Sequence, residues 1–158
     1  MAHGPVSVDD LRGLGLFAGL PDDELAPVAD AARRRSLHDR EVLARRGDQD
    51  DRVAWVMAGR ITLSLDQDGR AVVVMTLGAG DMLGWSLLRE HAVSLTTARA
   101  VGPAEVVEVP ADRVLELATS GGATGRLVVR RLIAAAARDL DATRAQLLRR
   151  NEGVISAG

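Results

Sequence analysis

The chain has 158 residues and a formal net charge of −2, which bounds it to one domain with a sizeable core and excludes gripping nucleic acid through bulk charge. Cysteine is absent and all 20 basic residues are arginine, so disulfides, thiolate catalysis, Schiff-base chemistry and a Walker-type lysine are excluded. Aromatic residues make up only 2%, so the core must be built from Val, Leu, Ile and Ala.

The first residues, MAHGPVSVDD, lack the basic start and apolar run of a signal peptide, and residues 1–10 read as a flexible N-terminus. No apolar run approaches the ~18 residues that a membrane span needs, so a cytoplasmic location is expected. Val8 to Phe17 reads as a short helix or turn with Leu11, Leu14 and Phe17 on one side. PDDELAPVADAARR follows, with Pro21 at a helix start and Asp22, Asp23 and Glu24 in its first turn. Leu20, Leu25, Val28 and Ala32 supply its apolar stripe, and Pro27 should kink or weaken it.

From Ser36 the period changes to short, β-branched, partly alternating segments near 41–44, 53–57, 60–65 and 70–76. Gly47-Asp48, Ala58-Gly59 and Asp68-Gly69 punctuate them, the last being a strong hairpin signal. LGAGDMLGWSLL, residues 77–88, then reads as a glycine-rich loop leading into a short helix at Trp85. Backbone N–H groups converging at a helix N-terminus make such a loop a candidate anion cradle. Two further strands, 95–101 and 104–109, flank Gly102-Pro103.

After Pro110 the helical period returns, first over ADRVLELAT and then from about 124 to 150. Along the long helix Val129, Ile133, Ala136, Leu140, Thr143 and Leu147 recur at spacings of 4, 3, 4, 3 and 4. That is a modest heptad seam, suited either to packing on the strands or to a homodimer, and the length of the helix favours the dimer. The tail 151–158 has no periodicity and should fray. The elements add up to an α+β fold: a small β-roll or jelly-roll of about eight strands over 11–123, with N-terminal helices, and a long C-terminal helix.

LFAGLPDDEL, RRGDQDDRVAWVMAGRITL, DGRAVVVMTLGAGDMLGW and ARAVGPAEVVEVPADRV, in that order, resemble the cyclic nucleotide-binding domain family. This is the sensor part of the bacterial catabolite-activator and fumarate–nitrate regulators, and the likeness spans roughly residues 14 to 148. Gly47, Gly59, Gly69 and the element Leu77–Asp81 fall where that family places turns, whereas Arg40 replaces a common glycine. The resemblance implies a regulatory ligand sensor whose cyclic phosphate would lie on the cassette helix, with an arginine partner and a ribose-binding glutamate in an F-G-E triplet. Here the triplet is Leu83-Gly84-Trp85, and Ser94, Leu95 and Thr96 stand where the family's arginine-bearing run belongs.

Both charged contacts are thus missing. A charge-assisted bond contributes about 1.5–3 kcal/mol, so their loss weakens cyclic-nucleotide binding roughly 100- to 1,000-fold. The candidate ligand residues are Gly80, Gly84, Trp85, Ser86, Leu87, Ser94, Leu95, Thr96 and, from the long helix, Thr143. Arg89 and Arg99 are possible substitute charges, although strand alternation points Arg99 away from the pocket. Trp85 is either a plug or a stacking platform for a flat ligand.

Two functions compete: a non-enzymatic sensor with a diverged, nucleotide-like small-molecule pocket, or a dimerisation or docking module, closed by Trp85, with a protein partner. Only eight residues follow Arg150, too few for a helix-turn-helix, and no direct DNA binding is expected. His3, His38 and His91 lie far apart, so no metal site and no cofactor is expected. Without a thiol or a Ser/His/Asp spacing, no enzyme is expected either.

Overall fold

The computed structural model describes residues 3–89 and 93–155, without the side chains of His3, Trp85 and residues 150–155. In chain order it holds β1 (His3–Gly4), α1 (Val8–Arg12), α2 (Asp22–Ala31), β2 (Arg33–Leu37), β3 (Val42–Ala44) and β4 (Arg52–Ala58). Next come β5 (Ile61–Gln67), β6 (Arg70–Leu77), β7 (Met82–Leu83), a 3-10 helix (Trp85–Leu88), β8 (Thr97–Ala100) and β9 (Ala104–Pro110). α3 (Ala111–Thr119) and α4 (Gly122–Ile155) close the chain. The strands form two antiparallel sheets, ordered β1-β2-β9-β4-β7 and β3-β8-β5-β6, which is the expected roll with helices at both ends.

Strand alternation sends β4 into two cores. Val53 and Trp55 face the helices, where they join Phe17, Leu25, Val114 and Val128. Ala54 and Val56 face the second sheet with Ile61, Leu83, Ala98 and Val106. Phe17 and Trp55 meet at a ring separation of 5.2 Å and a 54° tilt, a favourable edge-biased geometry.

Several boundaries differ from the sequence reading. α2 runs through Pro27 but stops at Ala31, and Arg33–Leu37 become β2 because their side chains have carboxylate partners on β9. Arg33 faces Glu108 and Arg34 contacts Glu105, with N–O distances of 2.5 Å in both pairs. Residues 3–10, expected to be a flexible N-terminus, pair as β1 with β2, bury Val6 and begin α1. Ser7 and Asp10 there form a reciprocal capping box, which satisfies two helix-end donors. α4 continues past the expected end at 150 as far as Ile155.

Arg40 takes a left-handed backbone conformation, at φ +63°. Its carbonyl accepts a 2.7 Å bond from Arg99 Nη1, which helps to hold this left-handed turn. Gly59 is needed for a stricter reason. At φ +81°, an added Cβ would come within 2.4 Å of the Pro103 carbonyl oxygen and 2.7 Å of Ala104 Cα, both backbone atoms. Gly69, in the Asp68-Gly69 hairpin at φ +76°, meets nothing within 4 Å.

Gly69→Ala should therefore cost about 1–2 kcal/mol, the left-handed penalty alone. Gly59→Ala should cost at least about 3 kcal/mol, because backbone must move. Thermal unfolding of both variants checks this, and equal shifts would show that the Gly59 contact is not tight.

Candidate functional site

A cavity of about 590 Å³ opens between the roll and α4. Leu43, Ala44, Ala54, Leu63, Met75 and Ala98 supply its sheet walls, and Leu83, Gly84, Ser86 and Leu87 its cassette side. Ser94, Leu95 and Thr96 form the edge before β8. Ile133, Ala136, Ala137, Asp139, Leu140 and Thr143 form the α4 wall. The residues placed there from sequence thus come together, with two exceptions and one residue that lies outside description.

Gly80 is the first exception: its N–H donates to the Val56 carbonyl at 2.8 Å, and it borders a separate 360 Å³ cavity. The Gly78 N–H is likewise taken, by the Asp81 carboxylate at 2.9 Å. The first half of the glycine loop therefore closes on itself and is no anion cradle. The second exception is the pair of substitute charges, since neither Arg89 nor Arg99 lines the cavity. Arg89 Nε folds back onto the Ser86 carbonyl at 3.1 Å, and Arg99 is spent on Arg40. The side chain of Trp85 lies outside the described residues.

Gly84 shapes the cassette. It takes φ +85° at the head of the 3-10 helix, and a Cβ there would press on Leu87 Cδ1 at 3.2 Å. Leu87 N–H closes the turn onto the Gly84 carbonyl at 2.8 Å. Ser94 is buried and fixed by backbone bonds to Gly47 and Asp48. α4 is fastened on both sides of the cavity: Arg131 Nη1 donates to the Leu16 and Ala18 carbonyls, and Gln146 Nε2 donates to the Val73 carbonyl. Thr143 donates its hydroxyl to the Asp139 carbonyl at 2.8 Å, which leaves the oxygen to accept.

One end of the cavity is charged, and the sequence reading missed it. Asp50, Arg52 and Glu108 line it. Glu108 is 3% exposed and sits opposite Ala54 on the inner face of the sheet. Arg33 Nε at 2.5 Å and Arg35 Nη1 at 3.8 Å balance it from β2. The Arg52 guanidinium turns to the Ala31 carbonyl at 3.2 Å, at the C-terminus of α2. The signal available in the sequence was the inward register of Glu108 within AEVVEVP, two residues beyond buried Val106.

Asp50 accepts the Arg52 backbone N–H at 3.1 Å, but no ion pair reaches it among the described residues. Burial, and then the negative charge of Glu108, push its carboxyl above the usual carboxylate range. No group of three or more His, Cys, Asp or Glu suited to a metal ion occurs among the described residues.

A folded-state pKa above the unfolded value means that ionised Asp50 opposes folding, and that the penalty grows as pH rises from the unfolded pKa through the folded one. Asp50→Asn should therefore raise the melting temperature at pH 7, and the gain should vanish at pH values below the ordinary aspartate range. A gain that persists at acid pH would assign the effect to something other than charge.

Residues 34–120 match the family model of the cyclic nucleotide-binding domain. A Geobacter metallireducens protein described as a candidate cyclic nucleotide-binding protein is 24% identical, with a TM-score of 0.73 over 85% of this chain and 98% of its own. A cyclic nucleotide-binding domain from Methylobacillus flagellatus is 15% identical, with a TM-score of 0.78 over 94% of this chain and 88% of its own. The sensor domain of the transcriptional regulator DNR from Pseudomonas aeruginosa is 13% identical, with a TM-score of 0.70 over 80% of this chain and 91% of its own. These likenesses show the fold, and no curated protein matches the chain. The match to the family model covers more than half of the sequence, and the chain belongs to the cyclic nucleotide-binding domain family.

Proposed function

We propose that the chain is a non-enzymatic, cytoplasmic regulatory module that senses a small molecule in the α4 cavity and binds cyclic AMP and cyclic GMP weakly or not at all. The observation that carries this reading is the charge of the cavity wall. Among the described residues its charged end holds Asp50, Glu108 and Arg52, with Glu108 paired to Arg33 and Arg52 bonded through Nη1 to the Ala31 carbonyl. A cyclic phosphate would enter an apolar space beside carboxylates, without the arginine and glutamate that the family uses. The space itself supports a sensor over a docking module with an occluded pocket, since about 590 Å³ falls within the range of ligand sites. Isothermal titration with cyclic AMP or cyclic GMP should show nothing tighter than about 100 μM. A low-micromolar isotherm would overturn this reading.

The assembly reading concerns the exposed apolar seam of the same helix. Ile133 is 63% exposed and Leu147 57%, and Val129 and Leu140 also stand exposed along the seam. An apolar stripe at heptad spacing is self-complementary, which supports a homodimer through α4. Leu147 lies outside the cavity lining, so Leu147→Asp tests the seam without altering the pocket. Light scattering should report twice the monomer mass for the native chain and the monomer mass for the variant, since an unpaired carboxylate in an apolar seam costs several kcal/mol. A native monomer at tens of micromolar would refute the seam.

A further inference from the structure

We propose that the ligand of the α4 cavity is a compact apolar or aromatic amine, its ammonium lodged at Asp50 and its apolar body held among Leu63, Met75, Leu83 and Leu87. This rests on the sensor reading and adds the chemical class of what is sensed. Three observations point the same way.

The body of the cavity is aliphatic. Leu43, Leu63, Met75, Leu83, Leu87 and Ala98 line it, so most of a ligand's surface would leave water for an apolar wall. Asp50, Arg52 and Glu108 gather at one end, which suits a molecule with a charged head group there, while Asp139 and Thr143 stand apart on the α4 wall. Finally, that end is acidic in what it offers. Glu108 already has Arg33 and Arg35 as partners, and the Arg52 guanidinium is held at Ala31. Asp50 accepts the Arg52 backbone N–H, and among the described residues no ion pair reaches it, the Arg33 guanidinium acting on it only at longer range.

A carboxylate or phosphate head at this end would face Asp50 and Glu108, with Arg52, whose Nη1 is bonded to Ala31, as the one guanidinium lining the cavity among the described residues, at a cost in both repulsion and desolvation. A neutral hydroxyl could donate one bond to Asp50. An ammonium does that and also offsets the charge of a partly buried carboxylate, and charge-assisted bonds are about twice as strong as neutral ones.

Three probes with one skeleton separate these cases: 1-naphthylmethylamine, 1-naphthylmethanol and 1-naphthoate, titrated calorimetrically into the full chain at neutral pH. The amine should bind at least about tenfold tighter than the alcohol, with the naphthoate weakest. Asp50→Asn should bring the amine down to the level of the alcohol, with the alcohol weakened far less because only its single hydroxyl bond to this position is affected. Ala136→Phe, which places a ring in the cavity from the surface of α4, should weaken all three. Naphthoate binding as well as the amine, or an amine preference that survives Asp50→Asn, overturns the proposal but leaves a small-molecule pocket standing. If none of the probes binds the folded native chain, the amine proposal fails. If cyclic nucleotides then bind in the low-micromolar range, the proposed function fails as well; if they do not, only the amine proposal falls.

Discussion

Strand β4 is buried on both faces, and most of the molecule follows from that constraint. Val53 to Val56 are all buried, alternately against the helices and against the second sheet. A strand in that position can carry no charge in its middle, so its charged residue, Arg52, sits at its end, where the guanidinium reaches Ala31. β9 runs beside it, buried from Val106 to Val109, and that stretch includes a carboxylate, Glu108. A carboxylate that deep needs a counter-charge, because burying it alone would cost several kcal/mol. The inward-facing arginines of β2 provide it, and this explains why RRRSL is drawn into the sheet when its composition would also suit a helix.

Where one element's own pattern decided its structure, the sequence was legible. The hairpin at Asp68-Gly69, the strands from Arg52 to Leu77, α3 and most of α4 were readable from period and turn chemistry alone. β2 and β1 were not, because their assignment depends on partners about seventy residues away in β9 or on pairing with β2 itself. The cassette residues Gly84, Ser86, Leu87, Ser94, Leu95 and Thr96 gather as their order suggested. The acidic end of the cavity did not announce itself, since Asp50 looks like one member of an exposed DQDD run and Glu108 like an ordinary strand residue. Only register and burial distinguish them.

Helix α4 belongs to two surfaces at once. Ile133, Ala136, Leu140 and Thr143 line the cavity, and the same residues make up the middle of the heptad seam. Val129 and Leu147, at the two ends of that seam, do not line it. A ligand in the cavity and a second helix on the seam would therefore bias the position of the same turns. Linkage makes such an effect reciprocal: whatever the ligand does to seam affinity, seam contact does to ligand affinity. The fastening of α4 by Arg131 and by Gln146 brackets this shared stretch, so any adjustment is confined to the turns between them.

The glycines and the charges of this site carry different information. Gly84 is required by its own φ of +85° and by its closeness to Leu87 and the Arg52 carbonyl, whatever occupies the cavity. Gly78 and Gly80 serve the turn, their N–H groups spent on Asp81 and Val56. The glycine pattern here is therefore scaffolding, independent of what the cavity holds. Ligand choice rests instead on the few charged groups that reach the cavity. Ser94 is held by backbone bonds to Gly47 and Asp48, and among the described residues no ion pair reaches the Asp50 carboxylate. On the proposed reading this chain presents an apolar chamber with an acid at its end, and the sign of that one charge, more than the shape of the loop, would set what binds.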